Sequence, residues 1–386
     1  MITFDQAREI VRGQRWEGAA LATALRDATG KTLAHATFAQ RDSPPFTNSS
    51  MDGYAVGSAL GPWKVVGIVA AGSQSGTLGF GDAMRIFTGA PTPRGTFAVI
   101  PQEDCGAVDG ILVCKNEVLE GGFMRVQGEE FTRASCLFEA GTRVTPPVLS
   151  ALAAQGRDFV DVLSMPRVAI LTTGSELLTV GEPYQPGKIY DSNAFALESI
   201  IRSYGCQVTT ASISDDAEST LAKIENLTES HDLLLTVGGV SVGDFDFVRP
   251  AIEKAGFQTH FAGVALRPGK PVAFGTKDDH KAWFGLPGNP MSAMITCCLF
   301  VGIYLGRELE FRPVPLSHAF KRVKGREEFL PSQIMAQQKL CLNPSVGSHA
   351  TAGLAQATGL ARIPGESEFL EVGTSLDYAD FPWQPT

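Results

Sequence analysis

The segment 233–248, LLLTVGGVSVGDFDFV, sets an apolar run directly against two adjacent glycines and two carboxylates, an order that reads as one strand-loop-helix unit. Backbone without side chains at Gly238 and Gly239 lets an anion approach amide N–H groups closely, and Asp244 and Asp246 offer hard oxygen ligands where a cation would neutralise that anion. The same residues would equally make a tight turn with solvated acids. The other loops of the chain decide between the two.

At 386 residues the chain is long enough for several cores, and about two to four domains are expected. Hydrophobic residues at 44% and charged ones at 19% fit a globular protein, and no stretch approaches the roughly 18 unbroken apolar residues of a membrane span. The opening MITFDQAREIVRG has neither the apolar block of a secretory signal nor the Arg-rich character of a transit peptide, so the expected location is cytoplasmic. Thirty-two basic against forty-one acidic residues give a net charge of −9, with no dense Lys/Arg block, which argues against nucleic acid as a partner. An anionic ligand would therefore need local loops and a divalent cation to overcome a repulsion that is screened over about 8 Å. The seven cysteines lack C-x-x-C spacing and the six histidines lack an H-x-x-x-H pair, so zinc is not expected. Cys297 and Cys298, in an apolar run, read as small buried hydrophobes.

Residues 4–30 carry apolar positions at three-to-four spacing and are expected to be helical, ending at Gly30. From 44 to 119, short β-branched runs punctuated by glycine and proline, such as WKVVGIVA and GILVCKNEV, point to a β-rich domain. The stretch 139–163 returns to a helical pattern, with Pro146 and Pro147 near its first turn. From 166, strands and helices alternate through RVAILTTG, SNAFALESIIRSYG, QVTTASIS, DAESTLAKIENLTESH, DLLLTVGG and FVRPAIEKAG, which argues for a parallel sheet covered on both faces. A strand, a loop and a long apolar helix follow, with Asn289 as N-cap and Pro290 in the first turn. Beyond 308, short strands and turns suggest a small β domain.

In such a sheet, ligands sit outside the carboxyl ends of the strands, so the loops after VAILT, VTTASIS, LLLTV and AWFG should meet at one crevice. Thr172, Thr173, Gly174, Ser175 and Glu176 supply hydroxyls and a carboxylate, Asp215 and Asp216 supply further acids, and 286–290, LPGNP, aims a helix start at the crevice. One of Asp215 and Asp216 could instead cap the following helix. Arg267 and Lys270 flank a Pro-Gly turn and could grip oxyanions or stand in a solvated basic turn. Asp278, Asp279 and His280 read as the exposed tip of a hairpin.

PPFTNSSMDGYAV (44–56), FTGAPTPRGTFAVIPQED (87–104), TTGSELLTVGEPYQPGKIYDSN (172–193), GGVSVGDFDF (238–247), RPGKP (267–271) and LPGNPMSA (286–293) resemble, in consistent order along the whole chain, the motifs of the molybdopterin molybdenumtransferase (MoeA) family, which includes the gephyrin E domain. The resemblance implies an α/β plus β multidomain fold. Its parts would be a discontinuous helical domain (1–43 and 130–165), an inserted β-rich domain (44–129), a doubly wound MogA-like α/β molybdopterin-binding domain (166–308) and a C-terminal β barrel (309–386). It further implies a homodimer whose site is shared between subunits, with Asp52 and Thr88 completing the partner's crevice. The implied reaction is Mg2+-dependent insertion of molybdate into adenylylated molybdopterin with release of AMP, in contact with a MogA-type adenylyltransferase and with molybdoenzyme apoproteins. Asp52, Thr88, Glu176, Asp215 and Asp246 are then the candidate catalytic residues, with Glu176, Asp215 and Asp246 as metal ligands. Thr173, Gly174, Ser175, Gly238, Gly239, Ser241, Gly243, Arg267, Lys270, Pro287, Gly288, Asn289, Pro290 and Ser348 are the candidates for binding the pterin and its phosphates.

The chain departs from the pattern in places. FMRVQGEEF (123–131) keeps only Arg125 of a basic run and has Glu130 for an aspartate, Gly263 and Arg267 stand where lysines are common, and Phe329-Leu330-Pro331 replaces Phe-x-Arg, although Gly347, Ser348 and His349 persist. Each lost charge-assisted contact is worth about 1.5–3 kcal/mol. Two other readings remain open: nucleotidyl transfer to molybdopterin, which Gly-Gly-Val-Ser in place of Gly-Gly-Thr-Gly disfavours, and a non-catalytic scaffold, which the retained acids disfavour.

Overall fold

The computed structural model describes residues 1–214, 216–239, 247–278, 280–343 and 351–384. They form two compact units, Ala20–Leu163 and, discontinuously, Met1–Ala19 with Ser164–Thr386. The larger unit opens on helix α1 (Phe4–Arg12). Thr3 accepts the Gln6 amide while the Gln6 side chain accepts the Thr3 amide, a reciprocal cap, and Phe4, Ala7 and Val11 bury one face.

The expected helix over 4–30 stops there. Residues Ala20–Ala24 instead form a strand paired antiparallel with Phe159–Leu163, itself part of the stretch expected to be helical. Spacing alone misled because these runs are only five residues each, too short to separate a period of 2 from one of 3.6. Helix α2 (Pro146–Ala154) does start on its two prolines. The smaller unit also holds a six-stranded sheet of β1 (Gly53–Val56), β2 (Trp63–Val69), β3 (Asp82–Ile86), β4 (Ala98–Pro101), β5 (Cys105–Val108) and β6 (Ile111–Cys114). Its order is β4-β1-β3-β2-β6-β5. The edge strands β4 and β5 are consecutive in the chain, joined only by the turn Gln102–Asp104, so the sheet curls enough to bring the end of β4 beside the start of β5.

In the larger unit, strands β7 (Arg167–Thr173), β8 (Gln207–Ile213), β9 (Leu233–Val237), β10 (Gln258–Ala262), β11 (Ala273–Lys277) and β12 (Lys281–Leu286) form a sheet of order β8-β7-β9-β12-β11-β10. The first four are parallel, and β11 pairs antiparallel with both β12 and β10. The side-chain alternation is legible residue by residue. Val168 and Ile170 join one core with Leu233, Leu235, Val237, Phe284 and helix α3 (Ser192–Ser203), while Ala169 and Leu171 join a second with Leu234, Trp283 and helices α4 (Ala217–Ser230) and α5 (Val248–Lys254). This is the doubly wound arrangement expected. The hairpin between β11 and β12 is also as expected, with Asp278 at positive φ; Asp279 lies outside the described residues.

The helix after β12 begins at Pro290, passes through a π-helical turn at Cys297–Val301 and ends at Tyr304. Cys297 and Cys298 are fully buried in it, and burial pushes the Cys298 thiol up to about 12. The C-terminal region builds a curled sheet from Arg312–Pro315, Glu327–Met335, Gly359–Ile363 and Ser375–Asp380. Leu266–Arg267, from the α/β part, adds to it as a parallel edge strand beside Glu327–Met335.

One buried polar contact ties β9 to β12: the Trp283 indole N–H donates to Thr236 Oγ1 at 2.9 Å, both residues fully buried. Thr236→Val leaves that donor without a partner, and the expected cost is about 1–3 kcal/mol. Urea unfolding followed by circular dichroism checks it; an unchanged midpoint contradicts it.

Candidate functional site

Strands β7, β9 and β12 are neighbours in the sheet, and their carboxyl ends open onto a cleft of about 870 Å³. Thr172 and Thr173 end β7 and Glu176 follows it, Gly238 follows β9, and Pro287, Gly288, Asn289 and Pro290 follow β12. Close approach of backbones explains the glycines. Gly238 has φ of 86°, and a Cβ there would stand 3.0 Å from the Thr173 carbonyl; Gly288 lies 3.8 Å by the same measure from the Gly238 Cα. At Gly174 a Cβ would meet the Glu176 carboxylate at 2.7 Å, so the glycine lets that side chain fold back over the loop.

Arg267 and Lys270 also line the cleft. Gly269 between them has φ of 105°, and a Cβ there would collide with Thr296 Cγ2 at 2.3 Å. Arg267 Nε stands 3.4 Å from Glu328 Oε1, and the other oxygen of Glu328 faces the buried guanidinium of Arg322 at 3.3 Å. Glu328 thus anchors an exposed cation at the rim from a buried position.

Several lining residues were not singled out from sequence. Asp191 is buried, accepts the Thr172 hydroxyl at 2.6 Å and caps α3 through the Ala194 amide at 3.1 Å, so its carboxylate is committed to holding two walls together. Asn193 donates from Nδ2 to the Gly288 carbonyl at 2.7 Å, and its Oδ1 is buried with no hydrogen-bond partner among the described residues. An Asp before a helical pattern is a cap signal that could have drawn attention to both. Arg326 and Glu328 reach the cleft from the C-terminal sheet, and no local signal marks them. Among the described residues the lining carries three cations, Arg267, Lys270 and Arg326, and three carboxylates, Glu176, Asp191 and Glu328.

The loop after β8 does not contribute among the described residues. Asp216 caps α4 by accepting the Ser219 amide at 2.8 Å, and that bond holds its carboxyl below the usual range. Asp215, Ser241, Gly243, Asp246 and Ser348 lie outside the described residues, as do Asp244, Gly347 and His349. Gly174, Ser175 and Gly239 are not in the lining; Gly239 packs under Val248. Among the described residues, no three His, Cys, Asp or Glu side chains stand together as a metal site.

Asp52 and Thr88 lie in the smaller unit and are brought together there. The Thr88 amide and hydroxyl both donate to Asp52 Oδ1 at 2.8 Å. These two bonds, the amide first, hold the Asp52 carboxyl below the usual range, with Arg85 adding to the effect. Arg85 itself lies over the rings of Tyr54 and Phe87, 5.0 and 5.3 Å from their centroids.

A doubly wound sheet with a mixed-charge cleft at its strand tips, in a chain with further β modules, defines a multidomain α/β ligand-binding enzyme. Residues 2–156 match the family described as MoeA N-terminal region (domain I and II), 169–306 the probable molybdopterin binding domain, and 313–381 the MoeA C-terminal region (domain IV). A protein from Synechococcus elongatus named molybdopterin molybdenumtransferase is 32% identical over 372 residues, covering 92% of each chain. One of the same name from Haemophilus influenzae is 36% identical over 305 residues, 77% of this chain and 75% of that protein. The crystal structure of the molybdopterin biosynthesis moea protein from Pyrococcus horikosii superposes with a TM-score of 0.83 at 29% identity, covering 98% of this chain and 99% of that one. The chain belongs to the MoeA family of molybdopterin molybdenumtransferases, and it is a transferase.

Because the Asp52 carboxyl is held low, the stability it contributes is fully present above the ordinary aspartate value and is lost as pH falls through the lower folded-state value. A carbon-detected NMR titration is expected to place the Asp52 midpoint below the usual carboxylate range. In Thr88→Val the midpoint moves up only part of the way, since the amide donor stays. An ordinary midpoint in the parent protein contradicts the geometry.

Proposed function

We propose that this chain inserts molybdate into adenylylated molybdopterin with release of AMP, aided by Mg2+. The observation that supports this best is the meeting of Arg267, Lys270 and Arg326 with bare glycine backbone and Glu176 in one cleft. A phosphoanhydride ligand carries several negative charges, and a chain of net charge −9 can hold it only where cations are gathered locally. Two separate segments supply them here, the turn 267–270 and the chain at Arg326.

In this reading the walls bind and orient. Arg267 and Lys270 face the phosphates, and Glu328 fixes the direction of Arg267 through their ion pair. Arg326, from the C-terminal sheet, takes over charge lost where Phe329-Leu330-Pro331 lacks the arginine frequent in relatives. The unpartnered Oδ1 of Asn193 accepts an N–H donor of the ligand, which relieves its buried state. Glu176 offers the hard oxygen chemistry that Mg2+ takes, and with Asp215 and Asp246 it would hold the ion. Held there, the ion would supply charge neutralisation to the phosphates of the ligand.

We infer further that the protein works as a homodimer in the cytoplasm, with the Asp52–Thr88 pair of one subunit serving the cleft of the other. A MogA-type adenylyltransferase would supply the substrate, and molybdoenzyme apoproteins would take the product. The pair's support is its geometry: an exposed carboxylate already oriented by two donors.

The test is AMP release by the purified protein from adenylylated molybdopterin with molybdate and Mg2+. Release that needs molybdate is expected; none sinks the proposal, and formation of the adenylylated species from ATP replaces it with nucleotidyl transfer. Asp246→Ala is expected to lower turnover roughly a hundredfold or more with little change in unfolding midpoint, and wild-type turnover in that variant removes Asp246 from the site. Mixing Asp52→Ala with Glu176→Ala protein, after exchange of subunits, is expected to restore roughly a quarter of the parent rate, because half the dimers then carry one intact site of two. No recovery argues that each cleft is served by its own chain.

A further inference from the structure

Outside the cleft, the smaller unit carries a pair of thiols that the transferase reaction does not use. In the hairpin of β5 and β6, Cys105 and Cys114 are direct register partners. The turn between the strands is Asp109-Gly110, with φ of 51° and 78°, both left-handed, which is the two-residue form that closes on a hydrogen-bonded pair, here Val108 and Ile111. Rungs of an antiparallel ladder alternate, so Ala107 with Leu112 is non-hydrogen-bonded, Gly106 with Val113 hydrogen-bonded, and Cys105 with Cys114 non-hydrogen-bonded. The next rung obeys the same count, because the Lys115 amide donates to the Asp104 carbonyl at 3.2 Å.

A non-hydrogen-bonded rung brings its Cα atoms to about 4.5 Å with the side chains on one face, inside the roughly 4.4–6.8 Å range a disulfide spans. Both thiols are free, partly exposed and packed against the same core around Trp63 and Leu112. The position matters too. The turn Gln102–Asp104 links edge strand β4 to edge strand β5, so Cys105 sits at the seam where the end of β4 lies beside the start of β5. Its Sγ donates to the Pro101 carbonyl at 3.3 Å, across that seam.

We propose that Cys105 and Cys114 are a reversible dithiol that oxidises to a cross-strand disulfide and clamps the seam of this sheet. Cys114 borders two depressions of about 420 and 110 Å³, so a small oxidant reaches it first. With a low-molecular-weight disulfide such as oxidised glutathione, the Cys114 thiolate attacks one sulfur, the glutathione S–S bond breaks and one glutathione thiolate leaves. Cys105 then loses its proton to solvent and attacks the Cys114 sulfur, the mixed disulfide breaks and the second glutathione leaves. Two protein thiols are oxidised and one glutathione disulfide is reduced to two thiols. Burial raises the Cys105 thiol above its ordinary value, with Cys114 adding to the effect, so the second step quickens as pH rises.

The experiment uses the full chain in buffers of stepped oxidised-to-reduced glutathione ratio, quenched with acid and mapped by peptide mass. A Cys105–Cys114 cross-linked peptide, about 2 Da lighter than the reduced pair, is expected, with a higher melting temperature than the reduced protein. Cys105→Ser is expected to stop at a glutathione adduct on Cys114, and Cys114→Ser to gain no melting-temperature shift on oxidation. The proposal is overturned if both thiols stay reduced or separately glutathionylated in the most oxidising buffer, or if the bridge joins any other pair among the seven cysteines. None of these readouts involves AMP release, so the result is independent of the proposed reaction.

Discussion

Strand β9 is buried at all five of its residues, and the order of the larger unit follows from that burial. A strand with no exposed face must receive helices on both sides, and its alternating side chains feed two separate cores. Its neighbours on either side are parallel to it, so three strands release their chains at the same edge. The cleft is the gap between those exits. Gly238 is needed at one of those exits because its φ is positive and a Cβ there would stand 3.0 Å from the Thr173 carbonyl.

Position in the cleft and chemical commitment turn out to be different properties. Asp191 lines it, yet both carboxylate oxygens are bound by the protein, which makes the residue a brace between β7 and α3. Glu328 is likewise a brace, shared between Arg267 and Arg322. Glu176 differs: it folds back over Gly174 at the mouth of the cleft, where a ligand or ion can meet it.

How much of this was legible beforehand depended on range along the chain. The alternating core of 166–304 could be read because each element is long and bounded by turn chemistry, and its strand-end loops are where a parallel sheet must put a ligand. Residues 20–24 and 159–163 could not: each is a short run whose strand character comes from its partner some 135 residues away, a tertiary effect on a weak local preference. Ambiguities of role divided the same way. Asp216 is legible as a cap because the deciding donor, Ser219, is three residues on. Arg326 and Glu328 went unnoticed because only the folded C-terminal sheet carries them to the rim.

The edge strand Leu266–Arg267 belongs by sequence to the α/β segment but hydrogen-bonds into the C-terminal sheet, directly before the Pro-Gly-Lys turn that walls the cleft. The border between these two modules therefore runs through the binding surface. Recombination that exchanged one module as a cassette would leave the wall unzipped along its seam, so the two have to change together, and the tail of the chain is an inseparable part of the cavity it closes.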